Sequence, residues 1–265
     1  MSTPSQAEVR RMIAAAGTIV VKVGSSSLTQ PSGHLDPDKL DAWPRLAQVR
    51  LMGGRVVLVS SGAIAAGFGP LGFDSRPGGR GHSAGHRSVG QATDGPLRDC
   101  VRSFGIRVGQ ILITAEDTIR ATQYRNVERT LDRLLDLGVV PIINEKRFVG
   151  LERDSLRRQR STLRVGGQPG AGRSLVLLTD ADALYTAPPS QPGSRRVEYV
   201  PNVIDALGDI QVSGSGSKVG TGGMVTKLEA ARVAAVSGIP TVLTCASNAG
   251  PAMMGDPGGH RVRTG

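Results

Sequence analysis

Residues Gly214 to Lys227 read GSGSKVGTGGMVTK and lead directly into a helical pattern, Met224 to Ser237. The glycines leave backbone N–H groups accessible, Lys218 and Lys227 bring positive charge, and the helix adds the positive end of its dipole. These three features together form a cradle that suits phosphate groups. The spacing matches neither the Walker A loop nor the GxGxxG dinucleotide loop. From this stretch alone, a phosphate loop of another kind and a flexible Gly/Ser linker both stay open.

Working outward, short apolar runs rich in β-branched residues predict buried strands. The first two runs, Thr18–Val23 and Arg55–Val59, flank the helical spacing Asp36–Arg50, which predicts a parallel pair with a right-handed crossover. A second helix at Tyr124–Leu135 is predicted, and so are strands at Arg107–Thr114, Val139–Ile143, Leu175–Leu178 and Pro240–Thr244. This alternation predicts an α/β fold whose functional loops lie at the carboxyl edge of a mostly parallel sheet.

Three of these strands end at polar or charged residues. Lys22 lies one residue before the end of the first strand, Ser61 follows the second, and Thr179-Asp180 follow Leu178. Ligands bind open α/β sheets at this edge, which favours a functional role for Lys22. A solvent-facing lysine on an edge strand and a plain helix-capping serine are the structural alternatives.

The length and composition suit one large α/β domain without membrane spans. The chain has 265 residues, and no apolar run reaches the length that crosses a bilayer. Met1–Arg11 is polar and lacks the apolar centre of a signal peptide, so a cytoplasmic protein is expected. The two cysteines, Cys100 and Cys245, are too few for a disulfide framework and are expected to be buried or free thiols.

The formal net charge of +10 is concentrated in two segments. Residues 146–173 contain eight Lys or Arg against two acids, and residues 78–87 add two more arginines. Such loops can bind nucleic acid, but stacking aromatics are nearly absent there, so nucleic acid is not the favoured partner. His82 and His86 lie four apart without helical periodicity or further ligands, so no metal site is predicted.

Several strings in the chain resemble one enzyme family, in the order and spacing of that family from about Thr18 to about Thr244. They are VVKVGSSSLT from Val20, VLVSSGAIAAG from Val57, RVGQILIT from Arg107, QYRN from Gln123, RTLDRLLDLGVVPIINE from Arg129, LVLLTDADALY from Leu175 and the Gly214 stretch continued to Pro240. These strings closely resemble the glutamate 5-kinases of the amino acid kinase superfamily.

The resemblance implies a three-layer αβα sandwich around a mainly parallel sheet, with an amino acid kinase domain at residues 12–247. It implies ATP-dependent phosphorylation of the γ-carboxylate of L-glutamate, the first step of proline synthesis, with Mg²⁺ as the metal. A homo-oligomer is expected. Residues 248–265 are expected to form a loose tail, and the RNA-modification-type domain that often follows in this family is not expected in this chain.

The resemblance also assigns site residues by position. Lys22 and Lys227 are similar to the two lysines that contact the ATP phosphates and are expected to be catalytic. Ser61 is similar to the substrate-binding serine. The expected ATP contacts are Lys22, Thr179, Asp180, Thr221, Gly222, Gly223, Met224, Val225, Thr226 and Lys227. Two lysines on opposite sides of the transferred group suit phosphoryl transfer, which depends on charge neutralisation and alignment.

The chain departs from the family pattern at residues 78–103 and 146–173. There the family's substrate aspartate falls opposite Arg147, its substrate asparagine near Gln159, and its lysine-orienting aspartate near Arg160. Because the length is unchanged, we hypothesise that these residues come from another reading frame, and resequencing the gene tests this: an intact frame would refute it. A nucleotide-binding protein of the same fold that has lost phosphoryl transfer is therefore the alternative function.

Overall fold

The computed structural model describes residues 4–24, 53–60, 105–113, 120–145, 172–187, 189–202 and 224–254. Its helices are α1 (Gln6–Ala14), α2 (Ala121–Asp136), α3 (Met224–Val236) and α4 (Ala249–Met253). Its strands are β1 (Thr18–Val23), β2 (Arg55–Ser60), β3 (Val108–Ile113), β4 (Val140–Glu145), β5 (Arg173–Thr179), β6 (Leu184–Tyr185), β7 (Arg196–Val197) and β8 (Thr241–Cys245).

Some sequence-based expectations lie outside the described residues. They are the helix Asp36–Arg50, Ser61, Cys100, Thr221–Gly223, and all of the two atypical stretches except Gly172 and Arg173.

Within the described residues, six strands form one sheet in the order β3-β4-β2-β1-β5-β8, and every neighbouring pair is parallel. β1 lies in the middle, paired with β2 from Thr18 opposite Arg55 and with β5 from Thr18 opposite Arg173. β6 and β7 pair with each other in a separate antiparallel hairpin that follows β5. The predicted mainly parallel α/β sheet is confirmed.

Helices pack on both faces of this sheet, which gives the three layers. Successive residues of a strand point to opposite faces, so each strand supplies both cores. On one face, Val21 belongs to a cluster that α4 covers with Ala249 and Met253. On the other face, Val20 belongs to a cluster covered by α2 and α3. The members that these two helices contribute are Leu131, Leu135, Ala230, Ala231, Val233 and Ala234.

Two helices end where the sequence predicted, at Gly138 after α2 and at Gly238 after α3. Both glycines have a left-handed φ, 72° and 68°, which glycine adopts without steric cost. After α3, Gly238 N–H donates to the carbonyl of Ala235, and Ile239 N–H donates to that of Ala234. This pair of bonds is a Schellman motif, and it satisfies carbonyls that the helix end would leave without partners.

Helix α1, the β6–β7 hairpin and helix α4 were not predicted. A loose tail was expected from residue 248, but Ala249–Met253 form helix α4. This helix packs on the sheet and buries Met253 in the core. Cys245 at the end of β8 is a free thiol, as expected. Within the described ranges, no helix is long and apolar enough to cross a membrane.

Candidate active site

The order of the strands puts a topological switch point between β1 and β5. From β1, the strands β2, β4 and β3 lie to one side, while β5 and β8 lie to the other. Connections that leave in opposite directions open a gap at the carboxyl ends of the two strands, and open α/β sheets bind ligands there. The residues that end β1 and β5 are therefore the first candidates for a functional site.

Lys22 lies on β1 at this carboxyl edge, with a half-buried side chain. It pairs with Val59 of β2 on one side and with Leu177 of β5 on the other, so β1 is an interior strand. The alternative of an edge-strand lysine is therefore wrong. Alternation puts Lys22 on the same face as Val20, which is the face that α3 covers.

Thr179, the last residue of β5, meets Lys227 from the first turns of α3. Lys227 Nζ donates a hydrogen bond of 2.5 Å to Thr179 Oγ1. The threonine is only 4% exposed, and alternation along β5 places it on the same face as Leu177. Thr179 therefore lies two residues, about 7 Å along a strand, beyond the β5 partner of Lys22. Lys22, Thr179 and Lys227 thus share one face and one edge of the sheet.

The charge of Lys227 is held in a partly buried position. Burial lowers the pKa of this ammonium group below its usual value, and the negative charge of Asp180 opposes the shift. Burying a cation without a full set of partners costs free energy. An anionic ligand at this edge would lower that cost, so the electrostatics of the site favour phosphate or carboxylate groups.

For the other predicted site residues the structure gives only the backbone position or the exposure, or does not describe them. Met224, Val225 and Thr226 form the first turn of α3, where backbone N–H groups are available to an anion. Asp180 follows β5 directly and is exposed. Ser61 and Thr221–Gly223 lie outside the described residues.

One interaction at the site has no sequence signal. The bond between Lys227 and Thr179 joins residues 48 positions apart. The family resemblance implies that both residues belong to a nucleotide site, but it gives no reason for a contact between their side chains. Only the packing of α3 against β5 reveals that contact.

The described residues offer oxygen ligands for a metal but no compact cluster. Within the part of the chain that the structure describes, no three His, Cys, Asp or Glu side chains come together at a possible metal site. Mg²⁺ is commonly held by one or two carboxylates together with substrate phosphates. Asp180 offers one such carboxylate, and its charge acts on Lys227, so the described residues fit a metal that arrives with a phosphorylated ligand.

Comparison with known proteins agrees with this architecture. The model of the amino acid kinase family matches residues 17–245. Among solved structures, this chain is similar to one described as "X-ray structures of isopentenyl phosphate kinase", with a TM-score of 0.57 and 18% sequence identity. The similarity covers 90% of this chain and 97% of that one. At this identity the likeness shows the fold alone.

Curated relatives are much more similar. Glutamate 5-kinase of Bifidobacterium longum strain DJO10A is 78% identical over 264 residues, which cover 98% of this chain and 69% of the relative. Glutamate 5-kinase of Cutibacterium acnes is 46% identical over 256 residues, covering 96% of this chain and 65% of the relative. The chain therefore belongs to the amino acid kinase family and, within it, to the glutamate 5-kinases.

Proposed function

We propose that this protein transfers the terminal phosphoryl group of ATP to the γ-carboxylate of L-glutamate, the first step of proline synthesis. The observation that carries the proposal is the placement of Lys22 and Lys227 at one edge of the sheet, at the switch point between β1 and β5. The high identity to glutamate 5-kinases supports the choice of substrates.

The chemistry asks mainly for charge neutralisation. ATP and glutamate are both anions, and charge spreads over the oxygens of the phosphoryl group as it moves. We propose that Lys22 and Lys227 bind these oxygens through their ammonium groups, which positioned donors in a partly buried site do more strongly than in water. Mg²⁺ would neutralise phosphate charge, and Asp180 is the residue that we propose to hold it.

Further contacts follow from the same proposal. The N–H groups of Met224, Val225 and Thr226 would bind phosphate oxygens at the start of α3, together with Thr221, Gly222 and Gly223. Ser61, which follows β2, would bind the glutamate. The resemblance also supports a cytoplasmic homo-oligomer, and sedimentation at several protein concentrations tests the oligomeric state.

The direct test is formation of γ-glutamyl phosphate, trapped as the hydroxamate, from purified protein with ATP, Mg²⁺ and L-glutamate. We expect turnover with wild type. We expect Lys227→Met to lower kcat by about 10²–10³, the range for removal of one donor that stabilises transition-state charge. Arg232→Met is the matched control, because Arg232 lies on the same helix but pairs with Glu229 at 2.6 Å, and we expect its kcat to stay within about twofold of wild type.

Two outcomes would contradict the proposal. Retained ATP binding without turnover of any acceptor would favour the alternative, a nucleotide-binding protein that has lost phosphoryl transfer. Turnover with another carboxylic acid, but not with glutamate, would support a kinase activity and refute glutamate as its substrate.

A further inference from the structure

We propose that Thr179 is a positioning residue whose hydroxyl group holds the amine of Lys227 in place for phosphoryl transfer. This inference rests on the proposed kinase function and deepens it. The family resemblance implies that Thr179 contacts the nucleotide itself, whereas the geometry points to an action through Lys227.

The Thr179 hydroxyl group is held in a fixed position at the end of β5. Thr179 ends β5 in register with Cys245 of β8, and its side chain is buried. Its β-branched side chain is restricted at χ1, so the direction of the hydroxyl group is set by the strand. The N–H of Ala181 also approaches Thr179 Oγ1, at 3.4 Å. The oxygen is therefore a fixed acceptor at the carboxyl edge of the sheet.

The side chain of Lys227 is the flexible partner in this contact. A lysine side chain has four rotatable bonds and about 2 kcal/mol of rotamer entropy, so a helix alone does not fix its amine. The hydrogen bond of 2.5 Å to Thr179 Oγ1 ties this amine to β5. Since β5 pairs with β1, the bond also sets the position of Lys227 Nζ relative to the strand that carries Lys22.

A positioning role and a direct nucleotide contact predict different couplings. If the Thr179 hydroxyl group acts through Lys227, its removal matters only while the lysine amine is present. If the hydroxyl group binds the nucleotide directly, its removal weakens binding whether or not Lys227 is there. A double-mutant cycle between the two positions separates these cases.

The experiment compares Thr179→Val, Lys227→Met and the double variant for kcat, for KM of ATP and for urea unfolding. We expect Thr179→Val to lower kcat about tenfold to a hundredfold, because small misplacements of a catalytic group cost this much. KM for ATP should change less than about threefold. We expect Thr179→Val to cause no further loss in the Lys227→Met background.

Two variants provide controls. Thr179→Ser keeps the hydroxyl group, and we expect it to restore kcat to within about threefold of wild type. Thr18→Val removes another buried threonine hydroxyl, at the opposite edge of the sheet where β1 begins. We expect it to lower the urea midpoint without changing kcat more than about twofold.

Several results would overturn the proposal, and they differ from failure of the kinase function. Additive losses of kcat or of ATP affinity in the double variant would show a direct nucleotide contact. A Thr179→Ser variant as slow as Thr179→Val would show that the hydroxyl group is irrelevant. If wild type shows no turnover, the kinase function fails. Urea unfolding then tests the inference by itself. If the effects of the two substitutions on the free energy of unfolding add up in the double variant, the hydrogen bond is refuted.

Discussion

At the scale of single residues, Lys227 combines a positive charge with partial burial. The pKa of its ammonium group is lowered mainly by burial, and Asp180 partly offsets the shift. The amine therefore loses its proton at a lower pH than an ordinary lysine, whose pKa is near 10.5. Among the described residues, Asp180 is the charged group that acts on this amine, Lys22 lies at the same edge of the sheet, and the neutral hydroxyl group of Thr179 accepts its hydrogen bond.

This shift predicts a pH dependence of nucleotide affinity. The ammonium form binds phosphate, so we expect the Kd for ATP to increase as the pH rises through the lowered pKa of Lys227. The bound phosphates raise this pKa again, so ATP binding in that pH range should take up protons. Calorimetric titration in buffers of different ionisation enthalpy measures both quantities. Lys227→Met should remove this pH dependence of the Kd. The same pH dependence in that variant as in wild type would show that Lys227 is not the titrating group.

The same group affects stability without ligand. Because the pKa is lower in the folded than in the unfolded chain, the unfolded chain binds more protons between the two values. The contribution of Lys227 to the free energy of unfolding therefore increases as the pH rises through that window. Holding the ammonium form partly buried in the folded chain therefore costs stability, as expected for a residue kept for binding.

At the scale of the elements, α2 approaches β3 closely at Gly109. A Cβ atom built at this glycine would lie 3.3 Å from Leu134 Cδ2 on the helix and 3.3 Å from Val139 Cγ1 after it. These distances are shorter than ordinary van der Waals contact, so a side chain here would push the helix and the strand apart. The missing side chain lets α2 cover this side of the sheet, on which Leu131 and Leu135 are buried.

We therefore expect Gly109→Val to lower the free energy of unfolding by about 1–3 kcal/mol, the usual cost of overpacking. Urea unfolding measures this value. Gly172→Ala is the control, because there is space for a side chain at Gly172. A Cβ atom added there would lie 4.0 Å from its nearest neighbour, Ala16 Cα. It should stay within about 0.5 kcal/mol of wild type. Equal effects of the two substitutions would show that the contact with α2 is not the cause.

At the scale of the whole molecule, the candidate site joins segments that are distant in the chain. β1 supplies Lys22, β5 supplies Thr179, and α3 supplies Lys227. A ligand that contacts all three binds only the folded chain. Ligand binding should therefore stabilise the protein by mass action.

We expect ATP at about 100 times its Kd to raise the free energy of unfolding by about 2.7 kcal/mol. Urea unfolding with and without ATP measures the increase. Lys227→Met should show a smaller increase at the same ATP concentration, while Arg232→Met should match wild type. An ATP effect equal in Lys227→Met and wild type would place the nucleotide elsewhere. This test is independent of turnover, so it applies to the kinase and to the nucleotide-binding alternative alike.

Local patterns predicted most of the described elements. β1 was predicted from Thr18 to Val23 and spans those residues, since a buried parallel strand is a continuous apolar run. Gly138 and Gly238 marked helix ends because the left-handed turn that ends a helix favours glycine. Helix α1 was missed although its signal is present: Ser5 and Glu8 form a capping box.

Tertiary structure decided what depends on contacts between distant residues. The pairing of β1 with β2 was predicted, but no local signal places β5 on the other side of β1, and that placement rules out an edge-strand Lys22. Helix α4 has five residues, too few for a periodic pattern, and forms where Met253 packs into the core. The sequence alone determined the family and the two lysines, because those lie in short strings with local meaning. The bond between Lys227 and Thr179 came only from the packing of α3 on β5, because a contact across 48 residues depends on how the whole chain folds.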